Sequence, residues 1–221
     1  MEHRNARERT VLVNPFRLDD EEQPEKPEND KDKKAETLPG PFQAIQQALF
    51  KSRTVLIFGE INQKVAQDTV AQLLAYASIS DDPINIVINS PGGHVESGDS
   101  IHDTIRFIKP RVKILGTGWV ASAGAHIFLG AHRENRYCLP NTRFLIHQPM
   151  GGAGGRASDI AIEAQEIIKM RRRINAIIAR ETGQPLERVE QDTDRNYWMS
   201  AEEAKEYGLV THIVATQAEF D

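Results

Sequence analysis

The chain has 221 residues, with 27 Lys and Arg against 32 Asp and Glu, for a net charge of −5. That length favours one domain with a tail, and the acidic balance argues against a dedicated nucleic-acid binder, which carries a basic surplus. The single cysteine, Cys138, excludes an intrachain disulfide and a cysteine-rich zinc site, and no apolar run approaches the ~18 residues of a membrane span.

The first residues contain charges but no long apolar stretch, so no secretory signal is expected and the cytoplasm is the expected location. From Asp19 to Thr37 there are nine acidic and four basic residues, with Ala35 the one apolar side chain. Such a segment buries too little apolar surface to offset the entropy of ordering it. Residues 1–39 therefore read as an unstructured tail, either a docking arm with a short strand at Val11 to Phe16 or a solvated spacer. The folded domain is expected over residues 40–221.

PFQAIQQALF, from Pro41, suits a short amphipathic helix, and TVLIF (Thr54 to Phe58) a buried strand ended by Gly59. Val65, Thr69, Val70, Leu73, Leu74 and Ala77 recur at helical spacing between Gln63 and Ala77. INIVI (Ile84 to Ile88) is a strand leading into the turn NSPGG. A helix follows over Glu96 to Ile108, stopped by Lys109-Pro110. VKILGT (Val112 to Thr117) is the third strand, and Ser122 to Ala131 the next core helix. YCL and RFLIH (Arg143 to His147) are two more strands. A long helix spans Ala157 to Thr182, then come a short helix after Pro185, another at Ala201 to Tyr207, and a last strand near Val210 to Val214. Alternating strands and helices predict an α/β fold with a mostly parallel sheet.

Ser122, in GWVASAGAH, stands where an apolar strand ends and an apolar helix begins. Free N–H groups and the helix dipole favour developing negative charge there, although a plain helix cap needs the same residue. The Gly-x-Ser-x-Gly elbow is absent, since Val120 occupies its first glycine. His147 ends a strand at the edge where α/β folds place their sites, and also suits a structural role. Pro91-Gly92-Gly93 at a strand end can point N–H groups into a cleft. Asp99, His102 and Asp103 share a helix face at metal-binding spacing, for which solvated surface charges are the better explanation. His126 lies inside an apolar helix, and Arg171 to Arg173 read as a solvated or subunit-contact face. Neither glycine cluster leads into Gly-Lys-Ser/Thr, and there is no HExxH, so nucleotide and metal chemistry are not expected.

INSPGG, ASAGA, LPNTRFLIHQPMGG and DTDRNYWMSAEEAKEYGLV, in this order and spacing, closely resemble the ClpP family, the proteolytic subunits of the Clp ATP-dependent serine proteases. The resemblance covers about Val55 to Val214. It implies a crotonase-like α/β fold with a protruding helix–strand handle, and assembly into two stacked seven-membered rings or mixed rings with a ClpP paralogue. It also implies hydrolysis of peptide bonds in unfolded proteins delivered by a AAA+ unfoldase; ATP is used by that partner and no cofactor by this subunit. By position, Ser122 matches the nucleophile and His147 the general base. The N–H groups of Gly93 and Ala123 match the oxyanion hole, and Asp194 and Arg195 a charged pair linking ring contact to active-site order.

Three departures accompany the resemblance. Asn196 stands where the family has the aspartate that orients the histidine, so the triad reads Ser122–His147–Asn196. ASAGA replaces the family's Ser-Met-Gly, which alters the pocket for the residue before the scissile bond. Asn85 and Val87 replace exposed tyrosines of the unfoldase-docking strand. The alternatives to an active peptidase are a weak or inactive ring subunit supporting a complete paralogue, and a crotonase-like enzyme acting on acyl-CoA. The missing basic CoA-binding segment opposes the latter.

Overall fold

The computed structural model describes residues 40–152 and 154–220. The tail and its proposed strand at residues 11–16 lie outside the described residues. Strands β1 (Thr54–Phe58), β2 (Ile84–Ser90), β3 (Val112–Ala121), β4 (Arg136–Cys138) and β7 (His212–Ile213) pair in the order β1-β2-β3-β4-β7, all parallel. β5 (Arg143–Ile146) runs parallel to the far end of β3, and β6 (Tyr197–Met199) antiparallel to β5. The expected α/β class and mostly parallel sheet are observed.

Helices α1 (Pro41–Lys51), α2 (Gln63–Ile79), α3 (Val95–Phe107), α4 (Ala123–Phe128), α5 (Ala157–Thr182), α6 (Leu186–Asp192) and α7 (Ala201–Tyr207) complete the domain. Their ends follow local chemistry. The Asn62 side chain accepts from the Val65 N–H at the start of α2, and Ser200 and Glu203 form a reciprocal capping box on α7.

β2 supplies the centre of the core. Ile84, Ile86 and Ile88 are fully buried on one face beside Val55 and Ile57 of β1, the period of two that a pleated strand imposes. β1, expected as a buried strand, is buried on one face only. It is an edge strand, and Leu56 and Phe58 on its other face are about half exposed. α1 is helical as expected but buries no residue among the described ones; Phe42, Ile45 and Phe50 are exposed, Phe50 beside the ring of Tyr76.

β3 extends past Thr117, where the sequence places its end, to Ala121. A register shift between β2 and β3 falls near Gly118, whose φ is +60°. Such an irregularity bends a strand and changes its neighbours. β3 therefore pairs with β4 through Ile114 to Gly116 and with β5 through Trp119 to Ala121. This fork carries the chain directly into Ser122.

α5 is buried only toward its C-terminal half, at Ile174, Asn175, Ile178 and Thr182. Its first turns are exposed, with Ile160 and Ile162 facing solvent, as a projecting handle requires. Between β5 and α5 no strand is formed by the described residues. The C-terminal half is anchored beneath by Arg136, which is fully buried and donates to the carbonyls of Ala131, Leu129 and Glu181 and to the Glu181 carboxylate. Satisfying that guanidinium from several sides is what makes its burial tolerable.

Candidate active site

Ser122 has φ 54° and ψ −121°, a conformation L-residues rarely adopt. Strain of this kind costs ~1–3 kcal/mol and persists where neighbours impose it. Here the Ser122 N–H donates to Leu145 O at 2.9 Å, while its carbonyl accepts from the His126 N–H at 3.1 Å. The hydroxyl is thus held at the junction of β3 and α4, as an elbow without the elbow's first glycine. Its location at the helix start was legible in the sequence, but its positive φ was not.

The PGG turn lies against this junction. A Cβ on Gly92 would sit 2.5 Å from Ser122 Cβ and 2.9 Å from Ala121 O, and Gly92 has φ +97°. Both space and backbone demand glycine there. Gly92→Ala is expected to lower peptide hydrolysis at least ~10²-fold and stability by about 2–4 kcal/mol, read from initial rates and urea unfolding. The Ala123 N–H, in the first position of α4, and the Gly93 N–H have no acceptor among the described residues. They are free to hold an oxyanion.

His147 follows β5. It and Ser122 both line a narrow slot of about 30 Å³, enough for one or two waters, walled by Val95, Ala125, Leu129, Ile146, Ile174 and Ile178. Burial holds the His147 imidazole below its ordinary pKa, so it is neutral at pH 7 and able to accept a proton. The antiparallel pairing of β5 and β6 runs as far as Ile146 with Tyr197, leaving His147 and Asn196 each just beyond the end of the ladder. The two residues border a second, open cavity of about 710 Å³. Past the ladder Gln148 ties the two segments together: its N–H donates to Thr193 O at 2.6 Å and its amide to Asp194 O at 2.7 Å. Thr193 in turn donates to Asn175 Oδ1 of α5 at 3.0 Å.

Among the described residues, no hydrogen bond joins Ser122 Oγ, His147 and Asn196, and Asn196 is exposed. The three groups are collected but not yet linked. The nearby carboxylates do not substitute for the missing aspartate. Asp192 accepts from Tyr207 Oη at 3.0 Å and pairs with Arg188, while Asp194 pairs with Arg171 at 3.2 Å. Arg195 is almost fully exposed, 3.9 Å from Asp194.

The reading of Asp99, His102 and Asp103 as solvated charges holds for Asp103, whose side chain is 80% exposed, and is corrected by the tertiary contacts for Asp99 and His102. His102 is buried and stacks on His126 with ring centroids 4.5 Å apart, and Asp99 turns inward to His126 and Arg173. No group of metal-ligating side chains forms among the described residues. Arg171 and Arg173 likewise have intrachain carboxylate partners instead of forming a purely solvated face. Cys138 is buried, which pushes its thiol up to about 12, so it supplies no thiolate nucleophile.

Residues 40–217 match the family model described as Clp protease. The chain belongs to the Clp protease family. The ATP-dependent Clp protease proteolytic subunit 3 of Rhizobium etli is 64% identical over 171 residues, covering 77% of this chain and 88% of that protein. The proteolytic subunit 2 of Gluconobacter oxydans is 56% identical over 209 residues, covering 94% and 93%. The solved structure of ClpP1 from Listeria monocytogenes superposes with a TM-score of 0.73 at 56% identity, over 80% of this chain and 99% of that one. An Asn-to-Asp mutant of the same Listeria protein gives 0.75. The ClpP-type fold is therefore established for this Clp family member. No helix among its described residues is long and apolar enough to cross a membrane.

Proposed function

We propose that this chain is a serine endopeptidase subunit of a ring-shaped Clp protease that degrades unfolded polypeptides in the cytoplasm. The observation that carries the reading is the strained Ser122 at the mouth of a slot shared with His147, beside the free N–H groups of Gly93 and Ala123. Ser122 Oγ attacks the scissile carbonyl carbon while His147 takes the hydroxyl proton. The carbonyl oxygen gains the negative charge and accepts hydrogen bonds from Gly93 and Ala123. As the C–N bond breaks, His147 passes the proton to the leaving amine. Water, deprotonated by His147, then releases the acyl group and restores Ser122. Asn196 positions His147 through its side-chain oxygen.

In this reading the exposed start of α5 docks two rings, with Asp194 and Arg195 relaying that contact to His147 and Asn196. The assembly contains this chain alone or mixed with a ClpP paralogue, and a AAA+ unfoldase spends the ATP, so this subunit needs no cofactor. A second reading, a weak or inactive ring member that supports a complete paralogue, is favoured by the missing links among Ser122, His147 and Asn196.

A fluorophosphonate probe, mapped by mass spectrometry, separates the two readings. Phosphonylation of Ser122 together with peptide hydrolysis by the purified protein is expected for the peptidase. Absence of both, in a protein that co-assembles with an active paralogue, would transfer the assignment to the supporting subunit.

A further inference from the structure

The two N–H groups that face the oxyanion belong to different elements, so their separation has to be fixed by packing. Gly93 stands two residues before α3, and Ile61 pins the chain on both sides of it. The Ile61 N–H donates to Gly92 O, and its carbonyl accepts from the His94 N–H, each at 2.8 Å. Ala123 opens α4, a helix of six residues. So short a helix has few internal hydrogen bonds and takes its orientation from what packs on it.

α3 grips α4 at both ends of one turn. Ala123 and His126, three residues apart, share a face of α4. Gly98 lies against Ala123: a Cβ on Gly98 would sit 3.3 Å from Ala123 Cβ and 3.5 Å from Ala123 O. The next residue, Asp99, reaches His126, with Oδ1 2.9 Å from Nε2. Arg173 of α5 braces the carboxylate, one arm on each oxygen at 2.7 Å. Partial burial pushes the Asp99 carboxyl up, but the hydrogen bonds from His126 and Arg173 outweigh it and keep the group ionised. An ionised carboxylate only accepts, so Nε2 donates to it in either charge state of the ring. Neither Asp99 nor Arg173 lines the slot that Ser122 and His147 share. Their contacts instead join α3, which leads out of Gly93, to α4, which begins with Ala123.

We propose that Asp99 is a positioning residue for the oxyanion: braced by Arg173, it holds α4 through His126 so that the Ala123 N–H keeps its place relative to the Gly93 N–H. The proposal rests on the peptidase reading and deepens it. A donor displaced from the oxyanion weakens a hydrogen bond that reaches full strength only in the transition state. Turnover then falls, while substrate binding through other contacts is kept.

Asp99→Asn in the full-length protein tests this, because it keeps the side-chain shape but turns one accepting oxygen into an NH2 group. With a fluorogenic peptide, kcat is expected to fall ~10–10²-fold and KM to stay within about twofold, less than the loss of a whole oxyanion donor. Rates are counted per Ser122 that a fluorophosphonate labels to completion, so misfolded molecules do not contribute. Deuterium uptake over residues 122–129, read by mass spectrometry, is expected to become about tenfold faster, with α2 unchanged. Arg173→Gln, which leaves His126 on Asp99, is expected to give the same pattern at smaller size, and it replaces Asp99→Asn if that variant does not fold. An unchanged kcat in a folded variant, or a higher KM at unchanged kcat, overturns the assignment. Should wild type neither hydrolyse the peptide nor react with the fluorophosphonate, the peptidase reading fails separately. The exchange comparison then decides whether Asp99 holds α4: faster uptake supports it, and unchanged uptake overturns it.

Discussion

Ser122→Ala is expected to reduce hydrolysis of short fluorogenic peptides by at least ~10³-fold, with the fold intact. Removing a serine nucleophile leaves only the contribution of the oxyanion donors and substrate binding, and nucleophile knockouts in serine proteases cost up to ~10⁶ in turnover. Alanine has the same Cβ as serine and meets the same strain at φ 54°, so the variant isolates the hydroxyl. Circular dichroism and thermal melting should be little changed. A variant that retains more than a tenth of the wild-type rate would show that the bond-breaking nucleophile lies elsewhere.

Asn196→Asp is expected to raise the rate by roughly 10–10²-fold, equivalent to about 1.4–2.7 kcal/mol of transition-state stabilisation. A carboxylate opposite His147 stabilises the imidazolium that forms as Ser122 loses its proton. In a buried triad the converse loss of charge costs ~10⁴, but residue 196 is exposed here and water screens part of the effect. The pH profile gives an independent reading. His147 must be neutral to act as the base, and burial holds its pKa below the ordinary value, so wild-type activity should rise with pH along a limb below ~6.5 and be flat at neutrality. A nearby carboxylate favours the protonated ring, so the Asn196→Asp limb should shift to higher pH. The gain is therefore largest above that limb and shrinks as the pH falls through it. A variant with unchanged rate and unchanged limb would mean that residue 196 does not face His147 during catalysis.

Much of the fold could be read from short-range pattern. The period-two burial of Ile84, Ile86 and Ile88 and the helical spacing around Leu73 are local consequences of backbone geometry. The order of INSPGG, ASAGA and RFLIH pointed to Ser122 and His147 through the family resemblance, and in the structure each motif lies at the end of a strand. The association of His147 with Asn196 was accessible only through that resemblance. Physically their proximity depends on the antiparallel pairing of β5 and β6, which no local spacing encodes.

The cluster around His126 shows most clearly where sequence reading stops. Asp99, His102 and Asp103 look like an exposed face when α3 is considered alone. Their environment is set by His126, 27 residues from Asp99, and by Arg173, 74 residues away, once α4 and α5 pack on α3. The same holds for Asp192 and Asp194, whose proximity in sequence to Asn196 says nothing of their engagement by Tyr207, Arg188 and Arg171.

By itself the sequence determined the α/β class, the approximate elements and the family, and marked Ser122 and His147 as candidates, because periodicity and motif order are properties of the chain. Tertiary structure alone decided the positive φ of Ser122, the fork of β3 that delivers it, the exposure of Asn196, and the burial of His126 against Asp99. Each depends on hydrogen bonds and burial between segments far apart in sequence, whose energies arise only when those segments meet.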